Sequence, residues 1–220
     1  MSEHQKGLRL DHLRIALNGI PLVSLDEIVT PGEVLCVMGP SGSGKSTLLS
    51  VLIGQPEPEF RISGRVLIDG MDLSGLGPRA RHIGLLFQDD LLFPHLSVGA
   101  NLGFALPPGV KGRANRQARI EAALAAAGLE GFAARDPATL SGGQRSRVAL
   151  MRTLLSAPCA LLLDEPFSRL DADLRRQMRD FVFARIRAEK LPAILVTHDA
   201  EDARAAGGRV ISPLGDRLSP

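Results

Sequence analysis

The sequence lacks tryptophan and tyrosine, and only two of its 220 residues are cysteine. Any aromatic contact must therefore come from phenylalanine or histidine. Two cysteines do not supply the disulfide framework of a small secreted fold. We predict that Cys36 and Cys159 lie in buried strands as inert thiols of a reducing compartment rather than as a redox pair.

Long apolar runs and a strong excess of one charge are also missing. No stretch approaches the roughly 20 apolar residues of a membrane span, and residues 1–6 are polar rather than a signal segment. If the protein works at a membrane, we expect it to act through a partner. The net charge of +2 is too small to indicate nucleic-acid binding. The length suits one domain with a substantial core and a subdomain.

The strongest motif is a phosphate-loop pattern between an apolar run, residues 33–38, and a helical pattern, residues 47–53, that ends at Gly54. Its glycines let the backbone curl and aim N–H groups at an anion, and the helix start adds its positive dipole end. Lys45 adds a full charge, and the Ser46 hydroxyl is placed to coordinate Mg²⁺. The motif consists of Gly39, Pro40, Ser41, Gly42, Ser43, Gly44, Lys45, Ser46 and Thr47.

The remaining pattern predicts an α/β fold with two additions. Alternation over residues 8–15, a turn at 18–19 and apolar residues at 21–25 and 65–70 predict a small antiparallel sheet. The segment 55–63, rich in Pro and Glu, is predicted to be a surface loop. Residues 89–156, with an alanine-rich helix at 114–127, are predicted to form a helical subdomain. The core and β subdomain then comprise about residues 8–88 and 157–213.

Several buried strands end in polar residues. Gln88, Asp164, Glu165 and His198 follow the apolar runs 83–87, 160–163 and 193–197. Ligands of an open parallel sheet lie beyond the carboxyl ends of its strands, so we expect these side chains to converge on the phosphate loop. Asp164 is then the carboxylate that supports Mg²⁺, and Glu165 can take a proton from an attacking water.

A second anion-binding cap is indicated by Leu140-Ser141-Gly142-Gly143-Gln144, which precedes a helix predicted at 145–155. Taken alone, this stretch is an ordinary helix cap. We do not expect a cap in a separate subdomain to bind the same phosphate as the loop within one molecule. Two copies arranged head to tail would let each copy donate its cap to the nucleotide of the other.

With these motifs in order, the chain resembles an ABC-transporter ATPase subunit, and more narrowly the short subunits of bacterial type I importers such as thiamine and ferric-iron uptake systems. The resemblance covers about residues 8–213. It is carried by the phosphate loop, Phe87-Gln88, the Leu140–Gln144 signature, Leu161-Leu162-Leu163-Asp164-Glu165-Pro166, Ser168-Arg169-Leu170-Asp171 and Thr197-His198-Asp199. The family fold is a P-loop NTPase (RecA-like) core with a small antiparallel β subdomain and an inserted helical subdomain.

The resemblance implies the role of each site residue. Lys45 and the loop amides bind the β- and γ-phosphates of ATP, and Ser46, Gln88 and Asp164 serve Mg²⁺. Glu165 is the general base, with His198 at the γ-phosphate and Gln88 near the water. Ser141 and Gly143 reach the ATP of a second copy, and Asp171 lies at the dimer seam.

The resemblance also implies partners and a location. They are transmembrane permease subunits, which bind near residues 89–98, a periplasmic binding protein acting indirectly, and no nucleic acid. The location is cytoplasmic, peripheral on the inner face of the cell membrane. The transported solute is chosen by other chains.

One departure from the family pattern concerns the contact with the adenine base of ATP. The aromatic residue that usually stacks on adenine falls near Ala16 or Leu17 here, so we expect Leu17 to provide only an apolar lid.

Three alternatives stay open. They are an export or lipoprotein-release ATPase, a soluble ABC ATPase of translation or DNA repair, and a nucleotide-dependent binding module without useful turnover. The presence of both Glu165 and His198 disfavours the binding module.

Overall fold

The chain is divided into two structural units in a computed structural model that describes residues 6–219. The first unit comprises the described residues up to Leu85, Cys159–Glu165 and the described residues from Arg179 onward; the second comprises Leu86–Pro158 and Pro166–Met178. Most of the polar segment at residues 1–6, predicted not to be a signal, lies outside the described residues.

An antiparallel sheet in the first unit has the strand order β2-β1-β4-β5. Its strands are β1 (Leu8–Leu17), β2 (Ile20–Val29), β4 (Phe60–Ile68) and β5 (Met71–Asp72). The buried residues of β1 alternate on each side of an irregularity between Leu10 and Leu13, as period-two patterning requires when one face of a sheet packs on a core. The predicted small antiparallel sheet is therefore confirmed.

The second sheet has the order β6-β7-β8-β3-β9. It contains β3 (Val34–Met38), β6 (Ile83–Leu86), β7 (Ala160–Asp164), β8 (Ala193–Thr197) and β9 (Val210–Ile211). The pairs β7–β8, β8–β3 and β3–β9 are parallel. β7 and β8 are buried along nearly their whole length, as expected of strands covered on both faces.

Four helices complete the elements assigned to the first unit, one of them shared with the second. They are α1 (Lys45–Ile53), α2 (Pro78–Arg81), α6 (Ala172–Ala188), which spans the unit boundary, and α7 (Ala200–Ala206). α1 ends as predicted at Gly54, whose positive φ of 84° terminates the helix.

The second unit is helical. It contains α3 (Val98–Ala105), α4 (Arg113–Ala126), a 3₁₀ turn (Pro137–Thr139) and α5 (Gly142–Leu155), together with the first turns of α6. The predicted alanine-rich helix thus begins one residue earlier, at Arg113. No helix within residues 6–219 is both long and apolar enough to span a bilayer.

Two local predictions were wrong. The predicted loop at 55–63 gives way to strand at Phe60, because the residues from Phe60 pair with β1 although most of their side chains are exposed. Cys159 precedes β7 and is only partly buried. Cys36 lies buried in β3 as predicted, and burial raises its pKa to about 12, so this thiol stays protonated and inert.

Candidate functional site

The phosphate-loop sequence forms a tight turn between β3 and α1. Gly42 and Gly44 have φ angles of 80° and 92°, a left-handed conformation that side chains rarely adopt. A Cβ on Gly44 would lie 3.1 Å from the Cβ of Leu22, so the loop also needs glycine there for close packing on β2. The N-terminal N–H groups of α1 are thereby directed toward the turn, where they can bind an anion.

Lys45 is the first residue of α1 and is 7% exposed. Its Nζ donates hydrogen bonds to the carbonyl oxygens of Gly39 and Pro40, both at 2.8 Å. The ammonium group is therefore held over the loop, surrounded by oxygen acceptors. Phosphate oxygens can take the place of such acceptors, and with a full negative charge they would bind the ammonium more strongly.

Ser43 provides a direct indication that the loop accepts an oxygen-rich ligand. Its Oγ is buried and has no hydrogen-bond partner among the residues that the structure describes. A buried hydroxyl without a partner costs free energy. A phosphate oxygen in the loop would supply the missing acceptor, so the residues present fit a polyphosphate.

Two carboxylates stand at the end of β7. Asp164 is its last residue, and burial, together with the neighbouring charge of Glu165, raises the pKa of the Asp164 carboxyl, with Lys45 acting in the opposite direction. Glu165 has a φ of 44°, uncommon outside glycine, and its N–H donates to the carbonyl of Val196 on β8. A strained residue held this firmly is a feature of functional sites.

His198 directly follows β8 and pairs with Glu165. Its Nδ1 lies 3.1 Å from Glu165 Oε2, and the imidazole is 59% exposed. With Nδ1–H donating to the carboxylate, the ring orientation is fixed and Nε2 remains as the second hydrogen-bonding atom. The pair can orient a water molecule and accept its proton at the carboxylate.

A buried ionic cluster holds the loop that carries His198. Arg179 on α6 donates from Nε to Asp202 Oδ1 at 2.5 Å and also pairs with Asp199 and Glu201. Asp202 Oδ2 accepts from the Thr197 hydroxyl at 3.1 Å, and that hydroxyl in turn accepts from the Asp199 N–H at 3.0 Å. Both neighbours of His198 are therefore fixed by side-chain hydrogen bonds, which the sequence did not predict.

A cleft of about 380 Å³ joins the loop to the antiparallel sheet. At one end lie residues of the phosphate loop and Glu165; at the other lie Leu17, Leu22 and Phe60. Phe60 is paired with Leu17 across β4 and β1. The structure thus brings an aromatic side chain to the place where the sequence predicted only Leu17.

The other predicted site residues belong to the second unit. Ser141 caps α5 with a reciprocal capping box, in which its Oγ accepts from the Gln144 N–H and its own N–H donates to Gln144 Oε1. Gly143 is packed so closely that a Cβ would lie 2.3 Å from Leu174 Cδ1. Asp171 caps α6 by accepting from the Leu174 N–H at 3.0 Å. Gln88 is exposed two residues after β6.

The segment after Gln88 is fixed by one buried side chain. Asn101 on α3 is fully buried; its Nδ2 donates to the carbonyls of Phe93, Leu96 and Ser97, and its Oδ1 accepts from the Phe93 N–H. These four hydrogen bonds attach the segment from Phe93 to Ser97 to α3 and hold it in one conformation.

Apolar side chains remain exposed on the same unit. Leu91 is 55% exposed and Phe104 is 71% exposed. The Phe104 ring makes an edge-on contact with Phe93 at 5.0 Å between centroids. A cleft next to Phe104 is lined by residues of α3 and α4, among them Ile120, and by flanking residues such as Leu96. Exposed large apolar groups beside a cleft are typical of interaction sites.

Known proteins are similar to this chain in sequence. The family model described as ABC transporter matches residues 22–168. The chain is 50% identical over 184 residues to the uncharacterised ABC transporter ATP-binding protein YnjD of Escherichia coli K12, covering 84% of each chain. It is 45% identical over 205 residues to the thiamine import ATP-binding protein ThiQ of Cereibacter sphaeroides, covering 93% of this chain and 87% of that one.

A solved structure is similar over almost the whole chain. It is cbiO1 from Clostridium perfringens, described as part of the ABC transporter complex cbiONQ, with a TM-score of 0.82 and 27% identity. The similarity covers 94% of this chain and 84% of that one. Sequence and fold therefore point to the same group of proteins.

Proposed function

The chain belongs to the ABC transporter family as one of its ATP-hydrolysing, ATP-binding subunits, and we propose that it powers a bacterial importer from the inner face of the membrane through ATP-driven closure of a dimer. The observation that carries this proposal is the Glu165–His198 pair, 3.1 Å apart, in the unit that contains the phosphate loop. A nucleotide-binding module without turnover would need no such pair.

ATP binding starts from the loop. Lys45 transfers its hydrogen bonds from the Gly39 and Pro40 carbonyls to the β- and γ-phosphates. The Ser43 hydroxyl, which lacks a partner among the described residues, donates to a phosphate oxygen. The N–H groups of the loop and of the first turn of α1 complete the cradle.

The proton from the attacking water goes to Glu165. Its backbone is fixed through the N–H bond to Val196, and His198 holds the side chain through Oε2. The carboxylate therefore needs little reorganisation to accept the proton. Most of the remaining catalysis is positioning and charge stabilisation, because phosphoryl transfer demands little covalent chemistry of the protein.

Mg²⁺ is the metal that the donor set fits. Ser46 offers an exposed hydroxyl on the first turn of α1, Asp164 offers a carboxylate, and the family pattern adds the amide oxygen of Gln88. These are oxygen ligands, which Mg²⁺ prefers. A cation bound beside Asp164 would oppose the effect of burial on the pKa of this carboxyl and favour its ionised form. When bound, the ion neutralises phosphate charge.

A second copy of the chain completes each site. Ser141 and Gly143 stand at the N-terminus of a 14-residue helix whose cap is already formed within one chain. We propose that this end meets the γ-phosphate of the ATP held by the partner copy and that Asp171 lies at the seam.

The membrane partner is a permease pair that docks on the second unit. The exposed Leu91 and Phe104, and the segment fixed by Asn101, offer a rigid apolar surface for a short helix of the permease. A periplasmic binding protein would act indirectly, through the permease. The import direction is supported by the thiamine-import relatives at 41–45% identity.

Replacing the general base, Glu165, with a neutral residue of the same shape tests the proposal. Glu165→Gln keeps the shape of the side chain but removes its basicity, so Mg-ATP binding should persist while turnover falls by roughly 10²–10⁴-fold. The ATP-bound variant should also accumulate as a dimer, which light scattering measures.

The matched control is Glu189→Gln, the same chemical change on an exposed residue beyond α6. This variant should hydrolyse ATP like the unaltered protein. If Glu165→Gln hydrolysed ATP at a similar rate, Glu165 would not be the base. If it bound ATP but stayed monomeric at every protein concentration, the shared-site dimer would be refuted.

A further inference from the structure

We infer that Phe60, from the third strand of the antiparallel sheet, forms with Leu17 the platform on which the nucleobase of the bound nucleotide stacks. This inference rests on the proposed function, because it concerns the same nucleotide. It assigns a base-binding role to a residue in a segment that the sequence predicted as a loop.

The position of Phe60 is set by strand pairing. Phe60 is the first residue of β4 and lies opposite Leu17, the last residue of β1. The turn before it is closed by a hydrogen bond from the Phe60 N–H to the Glu57 carbonyl at 3.2 Å. The ring is half-buried and packs at the edge of the hydrophobic core, so one part is anchored while another faces the cleft.

The cleft offers both ends of a nucleotide a suitable surface. Phosphate-binding groups line one end, including Lys45 and Ser46, and the apolar side chains of Leu17, Leu22 and Phe60 line the other. Its volume of about 380 Å³ lies in the range of small-ligand sites. Close contact between Gly44 and Leu22 makes the two ends continuous.

An aromatic face explains how a chain without tyrosine or tryptophan retains the base. A phenylalanine ring stacks on any base through its π-face, and the neighbouring Leu17 adds apolar contact on the same side. Stacking of this kind reads no hydrogen-bonding edge. The platform should therefore hold adenine and guanine nucleotides with similar strength.

Truncation of the Phe60 ring distinguishes the contribution of the nucleobase to binding from that of the phosphates. Phe60→Ala should weaken ATP binding by about 5- to 150-fold, the range that corresponds to losing one base–aromatic stack. Binding of inorganic tripolyphosphate, which has no base, should change less than about twofold. Phe60→Leu keeps apolar volume for folding but lacks the ring, and it should also weaken ATP binding.

The control is Ile62→Ala, two residues along β4 on the same side of the sheet and outside the cleft residues. It should bind ATP like the unaltered protein. If Phe60→Ala and Phe60→Leu both bound ATP normally, the platform would be refuted while the proposed function stood. If the unaltered protein bound tripolyphosphate and ATP equally, the base would make no contact at all. Failure of the unaltered protein to bind either ligand would instead refute the nucleotide site itself.

A fluorescence experiment gives an independent readout. The sequence has no tryptophan, so Phe60→Trp introduces a single indole at the platform. ATP should quench or shift its emission and tripolyphosphate should not, whereas Ile62→Trp should respond to neither. An indole at position 60 that ATP leaves unchanged would contradict stacking.

Discussion

Replacing Arg179 with methionine should destabilise the protein and slow hydrolysis, because it removes the only cation of the cluster around the His198 loop in the described part of the chain. The Arg179 side chain is 8% exposed and that of its main partner, Asp202, is 4% exposed. Both are thus shielded from solvent screening. Methionine retains the apolar stem and removes the charge.

The size of the effect follows from burial. Breaking a buried ion pair by removing one partner costs about 3–5 kcal/mol, because a buried charge is left uncompensated. That is a large part of the 5–15 kcal/mol by which typical proteins are stable. At about 2–4 °C per kcal/mol for a chain of this size, the melting temperature should fall by roughly 6–20 °C.

The loss should depend on pH. Burial raises the pKa of Asp202, and Arg179 counteracts this effect, so removing Arg179 should raise that pKa further. A carboxyl whose folded-state pKa lies above its unfolded value weakens the fold as the pH rises through that folded-state pKa. The stability deficit of Arg179→Met should therefore be greatest at neutral pH and smaller below about pH 4, where Asp202 is protonated in both states.

Circular dichroism during thermal and urea unfolding measures the deficit. Asp202→Asn in the Arg179→Met background should recover part of it, since the orphaned charge is gone. Arg176→Met, the same change on an exposed residue of α6, is the control and should melt near the unaltered protein. Equal melting of Arg179→Met and Arg176→Met, or a deficit that does not shrink at low pH, would refute the reasoning.

The remaining predictions concern the loop and the docking surface. Lys45→Ala should abolish the stabilisation by Mg-ATP in thermal unfolding, which would otherwise reach about 2.7 kcal/mol at a hundredfold excess over Kd; a retained shift would mean that the nucleotide binds elsewhere. Phe104→Glu should leave ATP hydrolysis by the isolated subunit unchanged but reduce its co-sedimentation with membranes containing the permease. Leu214→Glu, a similarly exposed site of the first unit, should not; equal retention of both variants would argue against docking at Phe104.

The elements that the sequence predicted well are those fixed by local interactions. The phosphate loop needs glycine at defined positions and a helix start at Lys45, and each of these is visible within nine residues. Because β7 and β8 are buried on both faces, they appear in the sequence as continuous apolar runs and could be predicted as buried strands.

Long-range pairing explains what the sequence did not reveal. Phe60 follows residues rich in proline and glutamate, and nothing local indicates that it lies opposite Leu17, 43 positions earlier, because strand pairing decides it. Arg179 and Asp202 are charged residues, which are rarely buried unless paired, and the pairing joins two helices. Their burial becomes predictable only once the fold is known.

The same reasoning applies to the acid–histidine pair, whose geometry depends on the register between two strands. In the parallel pair β7–β8, Asp164 lies opposite Val196, so Glu165 leaves the sheet level with Thr197, the residue before His198. A slip of one residue would shift the strands by about 3.3 Å. A slip of one residue also turns the side chains of one strand to the opposite face of the sheet, which would separate His198 Nδ1 from Glu165 Oε2, now 3.1 Å apart. The buried side chains of both strands oppose such a slip. The hydrophobic core therefore determines where the general base Glu165 lies, because it fixes the register of the two strands.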